Sequence, residues 1–115
     1  MSYIDGMIAS VPTDQKDAYA EFARVTGAMF REFGATAMMD AWGDDVPDGK
    51  VADFKRAVQA EPGETVVFSW MIWPDKATRD AGMAKAMADP RMTDLKMPFD
   101  GQRMIFGGFQ PLVEG

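Results

Sequence analysis

Neither cysteine nor histidine occurs among the 115 residues. Without cysteine there is no disulfide, no thiolate nucleophile and no cysteine-ligated zinc or iron–sulfur centre. Without histidine, one chain cannot build a Ser-His-Asp triad, a histidine-ligated haem or a histidine-containing zinc site. Proton transfer is left to Asp, Glu, Lys and Tyr. Positive charge is also scarce: 12 Lys and Arg stand against 18 Asp and Glu, a net charge of −6. That balance opposes binding to nucleic-acid phosphates and to anionic membranes, and it favours solubility. No apolar run reaches membrane-spanning length. The opening Met-Ser-Tyr-Ile-Asp-Gly lacks the basic stretch and apolar core of a signal peptide, so a cytoplasmic protein is expected. No glycine-rich nucleotide loop is present, and no cofactor is expected. A hydrophobic content of 47% with 26% charge is ordinary for a globular protein. A chain of this length suits one domain over 1–115, burying roughly two-thirds of the surface that the unfolded chain exposes.

The pattern along the chain predicts alternating strands and helices. Tyr3 to Val11 reads as a strand closed by Pro12. Thr13 is the expected N-cap of a helix whose Tyr19, Phe22, Ala23, Met29, Phe30 and Phe33 form a buried stripe, ended by Gly34 at the C′ position. Ala35 to Trp42 is a second strand, followed by a loop over 43–50 rich in Gly, Pro and Asp. The stretch Val51 to Ala60 fits either a short helix or an irregular strand. Thr65 to Trp73 is a third strand stopped by Pro74. Asp75 caps a second helix with Ala77, Ala81, Ala84 and Met87 on one face, broken at Asp89-Pro90. Arg103 to Val113 is the last strand, loosened by Gly107 and Gly108. The order β-α-β, link, β-α-β predicts an α+β fold of the ferredoxin-like split type, with a four-stranded antiparallel sheet and both helices on one face.

Such a sheet has one face uncovered, and a strand half-exposed in this way should alternate apolar with polar residues. The third strand does not. Val66, Phe68, Trp70 and Ile72 share one face, and Val67, Ser69, Met71 and Trp73 share the other. The last strand repeats the demand, with Ile105 and Phe109 opposite Met104 and Phe106. A second copy packed sheet against sheet, a homodimer, is the expected cover.

Four motifs carry a resemblance. Ala41 to Lys50, Val67-Phe68-Ser69-Trp70 with Trp73-Pro74, Met87 to Met92, and Met97 to Gly101 with Arg103 to Phe109 resemble the YbaA-like bacterial family of unknown function, over nearly the whole chain. The resemblance implies the dimeric α/β-barrel superfamily, in which two ferredoxin-like subunits pack sheet to sheet. By analogy with that superfamily it suggests cofactor-independent oxygenase or isomerase chemistry on a small organic compound. Asp40-Ala41 stand where relatives often carry Glu-Cys.

The residues themselves offer an acidic set. Asp5 lies mid-strand among apolar neighbours, a costly place for a charge without a partner or a cleft. Asp40 shares a face with Met38 and Trp42. If the smaller face of that strand packs on the helices, Asp40 and Trp42 point into the dimer cavity. Asp5, Asp40 and Arg103 are the candidate catalytic residues, with Arg103 also the expected ion-pair partner of the carboxylates. Trp42, Asp44, Asp45, Ser69, Trp70 and Arg91 are the candidate ligand contacts. No metal site is expected, because the spacing of Asp44, Asp45 and Asp48 does not match a calcium loop. The functional expectation is therefore a small organic molecule bound or transformed in a cleft beside the dimer contact, and the residues do not decide whether it is an enzyme. The alternative is a non-catalytic dimeric interaction or sensor module, with RNA binding ranked behind both.

Overall fold

The computed structural model describes residues 2–114. The strands are β1 (Tyr3–Pro12), β2 (Ala37–Trp42), β3 (Glu64–Trp73) and β4 (Ile105–Phe109). The helices are α1 (Lys16–Glu32), α2 (Phe54–Ala57), α3 (Lys76–Ala88) and α4 (Pro90–Thr93). The strands form one sheet in the order β2-β3-β1-β4, with every neighbouring pair antiparallel. This is an open α+β sheet with the long third strand in its interior, as the sequence pattern requires.

Register sorts the residues onto two faces, because successive side chains of a strand alternate. Pairings of Ala9 with Val67, Val67 with Trp42, and Tyr3 with Trp73 put these residues on one side. The core sits there: Ala9, Val11, Tyr19 and Val67 are buried together, joined by Met7, Phe22, Trp42, Phe99 and Met104. Phe99 comes from the loop before β4 and meets Phe22 edge-on at 5.5 Å. At the other end of this layer Trp73 is fully buried, edge-on to Phe30 at 6.3 Å and against Gly82 of α3.

Several boundaries differ from the sequence reading, for local reasons. Thr13 does not cap α1. It sits in a short 3-10 turn (Thr13–Gln15), and its hydroxyl hydrogen-bonds that of Thr65. Gly34 does end the helix, at φ 118°, a conformation that side chains with a Cβ rarely adopt. The ambiguous stretch contains α2, started by Asp53, whose carboxylate accepts from the Arg56 amide. Asp75 caps α3 in the same way through Thr78. The inward line of α3 is half-buried Thr78 and buried Gly82 and Ala86, four residues apart, while Ala77, Ala81, Ala84 and Met87 face solvent. Alanine marks both sides of that helix, so composition did not separate them. The last strand is five residues long and ends at Phe109, since the ladder to β1 stops at Ile4.

Candidate functional site

The first correction concerns β2. Asp40 pairs with Ser69, and Trp42 with Val67, on the helix side of the sheet. The small residues Ala37 and Ala41, together with Met39, face the open side. The expectation was the reverse, because side-chain size suggested that the alanines would lie under the helices. Instead α1 presents Gly27 against the sulfur of Met38 and Tyr19 against Asp40. The helix supplies the small residue and the strand the large one.

The three candidate catalytic residues do not share a cavity. Asp5, on the helix side, receives Arg79 of α3 through Nε and Nη2 at 2.9–3.2 Å, and its Oδ2 accepts from Trp73 Nε1 at 2.9 Å. Arg79 also bonds Asp80 and lies over the Tyr3 ring. Hydrogen bonds to Asp5 and then Asp80 keep this guanidinium firmly protonated. The partner of Asp5 is thus Arg79, which the sequence reading did not single out. A mid-strand carboxylate whose neighbouring helix carries an arginine is the signal that could have found it.

Arg103 lies five residues away along β1, roughly 17 Å at strand rise. Its guanidinium grips Glu64 at 2.7 and 2.8 Å, and reaches Asp100 at 3.1 Å, Ser10 Oγ at 3.1 Å and the Gln59 carbonyl at 2.8 Å. Gln59 has φ 50°, a left-handed conformation held by this contact and by the turn after α2. Arg103 therefore ties two loops to one end of the sheet. Hydrogen bonds from Arg103, joined by the Glu61 amide, bring the Glu64 carboxyl from 4.5 down to about 2. A depressed acid contributes stability above its unfolded pKa and loses it as pH falls towards its folded one. Unfolding free energy should accordingly drop between about pH 4.5 and about pH 2. Urea titrations across that range should show a shallower fall for Glu64→Gln. Equal slopes would show that this pair carries no linkage.

Asp40 is the one member of the set left facing a groove. The Tyr19 hydroxyl donates to its Oδ1 at 2.9 Å. Burial, and then the charge of Asp40, drive the Tyr19 phenol well above its ordinary range, so it stays protonated at neutral pH. Trp42 packs beside Tyr19 at 6.3 Å, with the Lys16 ammonium 5.6 Å from its ring centre.

The candidate ligand contacts divide. Trp42, Asp44 and Asp45 meet at a cleft of about 230 Å³ completed by Val46, Phe54 and Phe68, at the rim of the open sheet face. Phe54 stands edge-on to Phe68 at 6.4 Å. Its position is set by Asp53, which accepts from the Arg56 and Gly49 amides, and those bonds hold its carboxyl below the usual range. Trp70 lies on the same open face, two residues along β3 from Phe68. Ser69 points to the helix side, opposite Asp40. Arg91 is remote: it joins Asp89 and Glu32 and stacks over Phe33, tying α4 to the end of α1. Among the described residues no three carboxylates converge where they could hold a metal ion, and Asp48 is engaged by Lys55 at 3.1 Å. Among the described residues no helix is long and apolar enough to cross a membrane.

Sequence comparison agrees with the motifs. A family model described as "Protein of unknown function (DUF1428)" matches residues 2–101. The chain is 52% identical over 116 residues to "Uncharacterized protein YbaA" of Escherichia coli strain K12, covering 99% of both chains. It is similar to the same degree to the protein of that name from Shigella flexneri. Among solved structures, "Structure of Rv0793 from Mycobacterium tuberculosis" aligns over 99% of this chain and 98% of that one, at 14% identity and a TM-score of 0.44.

Proposed function

Because the chain belongs to the DUF1428 family of proteins of unknown function, kinship brings no activity with it, and we propose from the geometry that it is a homodimer binding a small organic molecule in the Phe54–Phe68 cleft. The observation that carries this reading is the open sheet face. It is built from Ile4, Gly6 and Ile8 of β1, Ala37, Met39 and Ala41 of β2, Phe68, Trp70 and Ile72 of β3, and Ile105, Gly107 and Phe109 of β4; at its Val66 end the same face is already buried within the chain. Met39, Phe68, Ile105 and Phe109 are 54%, 45%, 42% and 59% exposed. Contiguous apolar surface of this kind marks an interaction site.

Each half-exposed large side chain has about 1 kcal/mol still to gain from burial. A two-fold pairing counts these four twice, giving about 8 kcal/mol, against an association cost of about 4–15 kcal/mol. Trp70, Ile4 and Ile72 add to the gain. The strand order and antiparallel register support a ferredoxin-like subunit, and sheet-to-sheet pairing of two such subunits is the dimeric α/β barrel. The cleft then lies beside the contact, with an aromatic wall and two carboxylates at its mouth, suited to a small aromatic compound bearing a cationic or hydrogen-bond-donating group. Binding without turnover is favoured by one specific fact: Asp5 and Arg103 are consumed by structural pairs.

A thermal-shift screen of small aromatic amines and related metabolites tests the cleft. A ligand at about one hundred times its dissociation constant contributes about 2.7 kcal/mol, a shift of several degrees that should vanish in Phe54→Ala and shrink in Asp45→Asn. Equal shifts in wild type and Phe54→Ala would exclude this cleft, and no shift across such a panel would contradict the reading.

A further inference from the structure

The two carboxylates at the mouth of the Phe54–Phe68 cleft have no counter-charge. Among the described residues exposed Asp44 and Asp45 form no ion pair. The cations of α2 and of the adjoining sheet end are engaged elsewhere: Lys55 with Asp48, Arg56 with Asp53 and Arg103 with Glu64. The Lys16 ammonium lies against the Trp42 ring, 5.6 Å from its centre. A calcium or magnesium ion needs more oxygen ligands than these two carboxylates provide, and among the described residues no third converges on them.

The walls are aromatic and held in place. Phe54 and Phe68 stand at 84° to each other with ring centres 6.4 Å apart, and Trp42 lines the same cleft. Gly43 passes so close over β3 that a Cβ there would meet the Val66 carbonyl oxygen, which seats Asp44 and Asp45 directly beyond the strand end. Asp53 ties the loop to α2 by accepting from the Gly49 amide at 3.0 Å. The three rings offer π-faces and no hydrogen-bond acceptor apart from those faces. A primary ammonium between them would leave its N–H groups poorly matched. A methylated ammonium turns methyl groups outward, so it needs only the ring faces and a negative charge nearby.

We infer that this cleft recognises a methylated ammonium group, held against the rings of Phe54, Phe68 and Trp42 and balanced by Asp44 and Asp45. The inference rests on reading the cleft as a small-molecule site, and it specifies the charged group that enters. Charge complementarity argues for such a ligand over a second copy of the chain. Met39, Phe68, Trp70, Ile105 and Phe109, through which a copy would pack, bring no cation to the two carboxylates. The cleft also sits at the Val66 end of the sheet, where the open face is already closed within the chain. Ligand and dimer contact are neighbours that share only the Phe68 ring.

Three probes test it: choline, the uncharged alcohol in which a carbon replaces the nitrogen of choline, and ethanolamine. Each is titrated into the intact isotope-labelled protein while backbone-amide and indole shifts are followed by NMR. Choline should move the Trp42 indole and the Gly43, Asp44 and Asp45 amides. It should bind about tenfold more tightly than the uncharged alcohol, as desolvated cation–π contacts allow, and more tightly than ethanolamine. Phe54→Leu, at a 46% exposed position, should fold normally and lose the preference for choline over the alcohol. Asp44→Asn combined with Asp45→Asn should weaken choline and leave the alcohol unchanged. Equal affinity for choline and the alcohol, tighter binding of ethanolamine, or a preference that survives Phe54→Leu would overturn the inference. So would the absence of choline binding at tens of millimolar. The aromatic-amine screen separates the two readings: shifts that vanish in Phe54→Ala would keep the cleft and discard only the methylated cation, and no shift would discard both.

Discussion

Replacing Trp73 with alanine should lower the unfolding free energy by about 3–5 kcal/mol, the usual cost of emptying a fully buried aromatic site. Trp73 has no exposed surface, and three residues meet on its ring: Phe30 of α1, Gly34 after it, and Gly82 of α3. Its indole also donates to Asp5, so the alanine variant leaves that carboxylate with Arg79 alone. Small domains hold only about 5–15 kcal/mol in total, and a fall of this size should take the melting temperature down by about 15 °C. Trp73→Phe separates the two contributions. It keeps most of the packing and loses the donor, and should cost about 1.5–3 kcal/mol, the range for a hydrogen bond to a charged group. Equilibrium urea unfolding measures both. A loss below about 1 kcal/mol for the alanine variant would mean that the α1–α3 layer is not anchored where the fold puts it.

The second large effect is on association. Phe68 pairs with Ala41 and Ile8 on the open face and is half-exposed within one chain. Phe68→Glu should change the stability of the isolated subunit by less than about 1 kcal/mol, as substitutions at accessible positions usually do. In a dimer sealed across that face, however, the new carboxylate would be taken out of water without a partner. A penalty of about 4 kcal/mol or more follows, raising the dissociation constant roughly a thousandfold. The variant should therefore sediment as a folded monomer with an unaltered far-ultraviolet spectrum. Phe106→Glu is the matched control. Phe106 is more exposed but lies on the helix side opposite Met7, and its substitution should leave the assembly intact.

The contrast between these two phenylalanines shows what could be read before the structure. Strand and helix order, the interior place of Glu64–Trp73 and the apolar character of both its faces follow from alternation alone, because each strand period is a local property of the chain. The face that β2 turns to the helices was not local. It depends on Gly27 of α1 sitting under Met38 and on Tyr19 reaching Asp40, and no pattern within Ala37–Trp42 encodes either contact. For the same reason Asp5 was recognised as needing a partner while Arg79, 74 residues away, went unnoticed. Arg103 was recognised as engaged, yet its partners proved to be Glu64 and Asp100. The motif from Trp42 to Asp45 did end at a cleft, because a loop of Gly, Asp and Pro must leave the strand end somewhere. The phenylalanines that wall the cleft, Phe54 and Phe68, come from segments that sequence alone could not bring together.

The central claim is that the open face of Ile4, Met39, Phe68, Trp70 and Phe109 is covered by a second copy of the chain. Sedimentation velocity of the wild-type protein at micromolar concentration tests it most directly. The account predicts a single compact species of twice 12.7 kDa, insensitive to salt because its contact is apolar. A compact monomer of 12.7 kDa at that concentration would contradict it.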